Sequence, residues 1–206
     1  MIKIWGRNNS INVQKVMWTV AELDLPFERI DAGGAFGGLD TPAFGALNVN
    51  RRIPTIEDDG AVVWESNACV RYLAAKHGAG GLWPTDPAAR AAADMWMDWQ
   101  QTAMLVDMYV VFWGMIRTPE ADRDYPAIHA AAERLGETWR LLDQFLEGRR
   151  FVAADHLTMG DIPVGAACYR YYELAIERPK LPALEAWYGR LQERAPFRTH
   201  VMIPLT

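Results

Sequence analysis

One segment, residues 53–66, constrains what this 206-residue chain can fold into more than any other. It contains two short β-prone runs, residues 55–57 and 61–64, with the dipeptide Asp59-Gly60 between them. Asp-Gly in that position favours a tight two-residue turn, so the segment predicts a β-hairpin. A serine directly after the hairpin can cap a helix, which we predict at residues 67–77.

The two ends of this segment carry groups that suit a ligand. Pro54 lies where a strand begins and has no N–H, so we expect one fixed isomer before it; a cis bond would turn the backbone N–H and C=O of Ile53 toward a ligand. At the other end, the helix N-terminus and the Ser66 hydroxyl form an anion site, and Glu65 can accept from a cation. Together they fit an extended peptide with a carboxylate and an ammonium group. The alternative is a plain hairpin with a helix N-cap.

The residues before this segment predict a small α/β layer. Residues 1–5 and 27–30 read as strands, and apolar residues three or four positions apart predict a helix at 13–23. A strand–helix–strand order implies a right-handed crossover between parallel strands. With a short helix near 41–47 and the hairpin, the order of elements is that of a thioredoxin-like layer.

The residues after this segment predict helices and no strand. The expected helices span residues 88–115, 127–147, 158–174 and 182–195, the last of them stopped by Pro196. Thr158-Met-Gly-Asp161 resembles a capping box with Asp in place of Glu at the third helical position. We therefore expect a thioredoxin-like α/β domain at 1–79, a linker at 80–87 and an all-α helical bundle at 88–206.

Three motifs resemble the glutathione-binding half of the cytosolic glutathione transferases. They are Asn48-Val-Asn-Arg-Arg-Ile-Pro-Thr-Ile, Trp64-Glu-Ser-Asn-Ala and Val70-Arg-Tyr-Leu. In that family the pattern is N-P-N-G-R/K-V-P-x-L and then E-S-x-A-I-x-x-Y-L, so Val49 and Arg51 depart from it. The resemblance covers nearly the whole chain. It implies the family's two-part fold, glutathione as co-substrate, and glutathione-binding roles for Arg52, Ile53, Pro54, Glu65 and Ser66.

The loop after the first strand would carry the chemistry. Ser10 stands six residues before Val16, the offset at which theta-like members of the family place the serine that contacts the glutathione sulfur. Asn12 matches an asparagine of nu-like members, and Asn8 is a third donor. The loop has neither the tyrosine nor the cysteine of other classes. The resemblance thus implies a bacterial theta/nu-like member with Ser10 and Asn12 as catalytic residues. The alternative for both is capping of the first helix.

The second substrate should lie between Ser10 and the end of the long helix at 88–115. Met108, Tyr109 and Trp113 are candidates for its pocket, although residues of these types at such spacing also form cores. Arg117 could anchor a carboxylate, or act as a helix C-terminal cation. We therefore expect conjugation of glutathione to a small electrophile such as a haloacid. The alternatives are a glutathione-dependent disulfide or peroxide reductase and a non-catalytic interaction module.

Composition excludes several other classes. A net charge of −5 gives no electrostatic basis for nucleic-acid binding, and no apolar run is long enough to span a membrane. The four histidines have no metal-ligand spacing, and the two cysteines, Cys69 and Cys168, have no C-x-x-C partner. We expect a cytoplasmic protein with buried free thiols and no metal. The resemblance implies a homodimer.

Overall fold

The N-terminal part of the molecule is a four-stranded sheet with helices packed on it. The computed structural model describes residues 1–206. The strands follow the order β2-β1-β3-β4, where β1 is Ile2–Trp5, β2 Phe27–Ile30, β3 Thr55–Asp58 and β4 Ala61–Trp64. β1 pairs in parallel with β2 and antiparallel with β3. The helices of this part are α1 at Ile11–Glu22, α2 at Pro42–Leu47 and α3 at Ser66–His77, with a 3₁₀ turn at Gly34–Phe36.

The hairpin predicted from Asp59-Gly60 is confirmed. β3 and β4 pair antiparallel with Asp58 opposite Ala61, and the two residues between them both have positive φ, 48° for Asp59 and 84° for Gly60. Two successive residues with positive φ are what a type I′ turn requires. Together with the parallel crossover from β1 through α1 to β2, the hairpin completes the thioredoxin-like layer.

The C-terminal part is entirely helical. It contains α4 at Pro87–Trp99, α5 at Leu105–Phe112, α6 at Tyr125–Leu146, α7 at Asp161–Glu173, α8 at Pro182–Gln192 and α9 at Ala195–His200. Two π-helical segments, Gln100–Met104 and Trp113–Arg117, follow α4 and α5, and a 3₁₀ turn lies at Glu120–Asp122. None of the helices combines the length and the apolarity that crossing a membrane requires.

Two details of the sequence prediction were wrong. The helix at 88–115 is not continuous α-helix, because both π segments interrupt its pattern of hydrogen bonds; such segments often occur near functional sites. Pro196 does not stop a helix either: α8 ends at Gln192, and Pro196 lies in the first turn of α9. A proline in a first turn disrupts no helical bond, since the N–H groups there have no partner within the helix.

Helix α1 joins the two parts of the molecule. Trp18 is fully buried and packs edge-on against Phe197 of α9, with the ring centroids 4.7 Å apart. A β-carbon added at Gly165 of α7 would lie 2.9 Å from the same indole, so the two helices meet closely at this glycine. The α1 residues that precede Trp18 are thereby fixed between the sheet and the helical part.

Asp161 holds the start of α7 in place, as the capping box predicted. Its carboxylate is completely buried and accepts from the backbone N–H of Val152 (3.1 Å) and the indole N–H of Trp187 (2.9 Å). It also accepts from the backbone N–H and the hydroxyl of Thr158, at 2.9 and 3.1 Å. One side chain therefore ties α7, α8 and the loop before α7 together.

Candidate active site

The loop that leads into β3 leaves the backbone of one residue, Ile53, without hydrogen-bond partners. The Ile53–Pro54 bond is cis. The backbone N–H and C=O of Ile53 form no hydrogen bond with the rest of the chain. The loop itself is braced, because the buried Asn48 donates to the Arg52 carbonyl at 2.9 Å and the Thr55 hydroxyl at 3.0 Å. A fixed loop with an unpaired N–H and C=O can pair with an extended peptide.

Arg51, where the family pattern has glycine, takes up the conformation that glycine would favour. Its φ is 50°, in the left-handed region. The guanidinium donates to the carbonyl oxygens of Leu39 and Thr41, at 3.0 and 3.1 Å. These two bonds fasten the loop to the residues just before α2. The neighbouring Arg52 is exposed at the surface.

The junction between β4 and α3 differs by one residue from the prediction. Glu65, not Ser66, holds the N-cap position of α3, with φ 67° and ψ 118° and no capping bond from its side chain. A non-glycine residue at positive φ costs about 1–3 kcal/mol and is typical of functional sites. Ser66 is the first helical residue and is buried. The exposed Glu65 carboxylate and the Ser66 hydroxyl thus lie side by side at the start of a helix.

The two residues predicted to be catalytic, Ser10 and Asn12, differ in their hydrogen bonds. Ser10 holds the N-cap position of α1, yet its half-buried hydroxyl makes no capping bond. Asn12 accepts instead from the Ser66 hydroxyl at 3.1 Å, so its side chain faces the start of α3. Asn8 is exposed. The Ser10 hydroxyl is therefore free to donate at the start of α1, and the roles of Ser10 and Asn12 at the sulfur both stay predictions.

Lys15 is a residue of this site that the sequence analysis missed. It is 1% exposed, and its Nζ donates to Gln100 Oε1 at 3.0 Å and to Ser66 Oγ and Asn67 Oδ1, both at 3.4 Å. Burial, and after it the charge of Arg170, lower the pKa of Lys15 to about 7, while Glu65 acts in the opposite direction. The available signal was that Lys15 is the only charged residue between Ser10 and Ala21.

Three arginines surround the loop that carries Ser10. Arg170 on α7 is 7% exposed; it donates to the Asn9 carbonyl at 3.0 Å, while its Nε has no partner. Its guanidinium carbon lies 4.2 Å from the centroid of the Phe112 ring, and that of Arg117 lies 5.8 Å from the same centroid. Burial and then Arg117 lower the pKa of Arg7, and burial followed by Arg117 and Arg7 lowers that of Arg170 to about 9.

These three guanidinium groups have no carboxylate partner in the chain, because all ion pairs of the structure are formed by other residues. A cluster of like charges without counter-ions forms a positive surface, and such a surface attracts anions. Phe112, which lies beneath two of the three, was not among the predicted residues.

The residues predicted to bind the electrophile differ in burial and in what surrounds them. Met108 is buried in the core of the helical part. Tyr109 and Trp113 are exposed, with their rings 5.3 Å apart. Arg117 is the one that the structure brings together with the Ser10 loop, through Arg170 and Phe112. No group of three or more His, Cys, Asp or Glu side chains is arranged to hold a metal ion.

Comparison with known proteins decides the family. A model of the glutathione S-transferase N-terminal domain matches residues 9–76. Over 208 aligned residues, covering 100% of both proteins, the sequence is 40% identical to the glutathione S-transferase GstB of Escherichia coli K12. The chain belongs to the glutathione S-transferase family. The match spans the whole chain and favours a transferase over the reductase and the interaction module.

The fold of this transferase is also that of solved relatives. The theta-class glutathione S-transferase of Xanthomonas axonopodis pv. citri with glutathione bound superposes with a TM-score of 0.96 and is 46% identical, covering 100% of this chain and 99% of that one. The apo form of the same protein gives 0.87 at 40% identity, covering 100% and 98%. The transferase is thus closer in shape to the form with glutathione.

Proposed function

We propose that this transferase binds glutathione as an extended peptide and joins its thiolate to a small electrophile that bears a carboxylate, such as a haloacid. The backbone N–H and C=O of Ile53 pair with the peptide, next to Arg52 and Pro54. The Ser66 hydroxyl and the start of α3 bind a carboxylate of glutathione, and Glu65 binds its ammonium group. Ser10 donates to the sulfur. The solved relative that carries glutathione supports this ligand.

One observation carries the choice of an anionic electrophile: the guanidinium groups of Arg7, Arg117 and Arg170 gather at the Ser10 loop without a carboxylate partner. Arg117 is the most exposed of them, and it can form two parallel hydrogen bonds to a carboxylate. The buried Phe112 ring supports two of these groups, with the guanidinium carbons of Arg170 and Arg117 at 4.2 and 5.8 Å from its centroid. The exposed Tyr109 lies on α5 before Phe112, and the exposed Trp113 lies between Phe112 and Arg117, while Met108 is buried beside them.

A matched pair of electrophiles tests this assignment. Iodoacetate and iodoacetamide have the same leaving group and nearly the same size, but only iodoacetate is charged at pH 7. A charge-assisted hydrogen bond is worth about 1.5–3 kcal/mol, so we expect Arg117→Ala to lower kcat/KM for iodoacetate by about 10- to 150-fold. Its kcat/KM for iodoacetamide should change less than about twofold.

The control for this experiment is Arg140→Ala, because Arg140 pairs with Glu137 on the surface of α6 and should affect neither substrate. Equal losses on both substrates in Arg117→Ala would rule out Arg117 as a carboxylate anchor. Failure of the wild type to turn over either substrate with glutathione would contradict the proposed reaction itself.

Family membership also supports a homodimer that works in the cytoplasm. Phe36 is exposed and is available to contact a partner, whereas Phe44 is buried within the chain and Arg71 donates to Asp94 and Asp98 of its own chain. Sedimentation equilibrium tests the dimer, and a mass equal to one chain at micromolar concentration would exclude it. Cell fractionation tests the location.

A further inference from the structure

Lys15 is a buried cation with no carboxylate bound to it. All three acceptors of its ammonium group are neutral oxygens, from Ser66, Asn67 and Gln100. Holding a charge away from water is unfavourable unless other groups compensate for it, and neutral acceptors compensate only in part. The ammonium nitrogen lies 3.4 Å from the Ser66 hydroxyl oxygen, so an anion bound at that hydroxyl would compensate its charge.

The charged groups that face Lys15 are few. From α7 comes Arg170, which repels it, and from the junction of β4 and α3 comes Glu65, which attracts it. Because Glu65 is exposed, solvent weakens its attraction. α3 and the π segment after α4 contribute only the neutral side chains of Ser66, Asn67 and Gln100. In the free protein Lys15 therefore titrates near pH 7.

We propose that Lys15 acts through Ser66 as the charge partner of glutathione's glutamyl carboxylate, and that glutathione binding is coupled to uptake of a proton by Lys15. This inference rests on the function proposed above, in which Glu65 binds the ammonium group and the Ser66 hydroxyl donates to a carboxylate; the glutamyl carboxylate is bonded to the same carbon as that ammonium. In the free protein the Ser66 hydroxyl donates to Asn12 Oδ1 at 3.1 Å, and it turns to the carboxylate when glutathione binds. Lys15 Nζ lies 3.4 Å from Ser66 Oγ. A carboxylate oxygen about 2.7 Å beyond the hydroxyl is then at most about 6 Å from the ammonium group. That is within the range at which opposite charges favour the ionised form.

The size of the coupling follows from linkage. An opposite charge at about 4–6 Å raises the pKa of the group by about 1–3 units, so Lys15 in the complex titrates near pH 8 or above. With about 7 in the free protein and about 8 in the complex, binding at pH 7 takes up about 0.4 proton. Because the raised pKa belongs to the bound state, affinity is highest below pH 7 and falls as the pH rises. Between pH 6 and pH 8.5 the dissociation constant should rise about sevenfold.

Isothermal titration calorimetry with S-methylglutathione measures both quantities. This probe has no free thiol, so ionisation of the sulfur does not contribute. Titrations at pH 7 in buffers of different ionisation enthalpy give the number of protons taken up, and titrations from pH 6 to pH 8.5 give the pH dependence. Lys15→Met should abolish the uptake and bind about tenfold more weakly than the wild type at pH 6, yet similarly at pH 8.5. A purely structural role would weaken binding equally at every pH.

Two further variants sharpen the test. Gln100→Glu places a carboxylate next to Lys15 and keeps it charged in the free protein, so the proton uptake at pH 7 should fall nearly to zero. Lys180→Met, which changes an exposed lysine far along the chain, should behave as the wild type. If Lys15→Met does not fold, the wild type and Gln100→Glu still decide the question.

Three results would overturn the inference. They are binding without proton uptake in the wild type, uptake that persists in Lys15→Met, and uptake unchanged in Gln100→Glu. Absence of any binding of S-methylglutathione by the wild type would be a different failure. It would refute the proposed glutathione site, and the role of Lys15 with it.

Discussion

Removing the Ser10 hydroxyl separates a role in chemistry from a role in folding. Replacing a serine that caps a helix by alanine lowers the stability of the protein by about 0.5–2 kcal/mol. The Ser10 hydroxyl makes no capping bond to α1, so we expect Ser10→Ala to unfold at the same temperature as the wild type. Thr41→Ala is the matched control, because Thr41 Oγ1 does cap α2 by accepting from the Phe44 N–H at 3.2 Å. Only that variant should lose stability.

The effect of Ser10→Ala on the reaction comes from the pKa of the bound thiol. A hydrogen bond to the thiolate, a charged acceptor, is worth about 1.5–3 kcal/mol, or about one to two pKa units. With a shift of about 1.5 units, the thiol titrates near pH 7 in the wild type and near pH 8.5 in the variant. The thiolate fraction at pH 7 then falls from about one half to about 3%. The more basic thiolate is about fivefold more nucleophilic at a Brønsted slope of about 0.45, so the net loss is about three- to fourfold.

The same numbers predict that the sign of the effect changes with pH. Above about pH 8 the wild-type thiol is almost fully ionised, while the variant's thiol is about one quarter ionised and its thiolate fraction is still rising. Because that thiolate is about fivefold more nucleophilic, the variant becomes the faster enzyme. Initial rates with saturating glutathione and iodoacetate from pH 6 to pH 9, corrected for the uncatalysed reaction, give two curves that should cross near pH 8. Affinity for S-methylglutathione should stay within about twofold, since the probe has no thiolate to bind.

Two results would refute this reasoning about Ser10. A rate ratio that stays constant with pH would show that the hydroxyl does not act on thiol ionisation. A loss of stability like that of Thr41→Ala would show that Ser10 caps α1 after all.

Two predictions concern the frame that holds the site. Asp161→Ala leaves four buried donors without an acceptor, at about 1–3 kcal/mol each, so the free energy of unfolding in urea should fall by at least about 4 kcal/mol; a loss below about 1 kcal/mol would contradict the network. Gly165→Ala places a β-carbon 2.7 Å from Leu191 Cδ1 and 2.9 Å from the Trp18 indole, and should destabilise the protein by about 1–3 kcal/mol. Nothing lies within 4 Å of a β-carbon added at Gly189 on α8, so Gly189→Ala should stabilise the protein by up to about 1 kcal/mol. If both glycine variants changed the free energy of unfolding in the same direction, the close contact of α1 with α7 would be refuted.

Local signals were enough to predict the frame of the fold. Asp59-Gly60 determines the hairpin because the turn needs two residues with positive φ. Asp161 marks the start of α7 because two of the four donors to its carboxylate belong to Thr158, three residues before it. The prediction at Ser66 was off by one residue for a related reason. Residue preferences for the N-cap position favour serine, but in the structure Glu65 occupies it. Its φ is positive, which no preference scale assigns to glutamate.

The site itself could be predicted only in part, because its charges come together from distant elements. Arg170 reaches the Ser10 loop from α7, across 161 positions of sequence, and no local pattern reveals that contact. Lys15 looks like a solvated lysine on an amphipathic helix until α3 and the π segment after α4 cover it. Both residues were missed for the same reason: burial of an isolated basic side chain is a tertiary property.

The charges of the site match those of the proposed reactants. Glutathione as a thiolate carries two carboxylates, one ammonium group and the sulfur, a net charge of about −2 near neutrality, and a haloacid adds about −1. Arg7, Arg117 and Arg170 supply three positive charges, while Lys15 offsets Glu65. Cations that face one another without counter-ions lower the stability of the free protein, and anions that bind among them remove that cost. The chain has a net charge of −5, yet it gathers four cations here, none of them in an ion pair. Such a site is suited to bind anions, and the thiolate is the anion that must be held at the reacting atom.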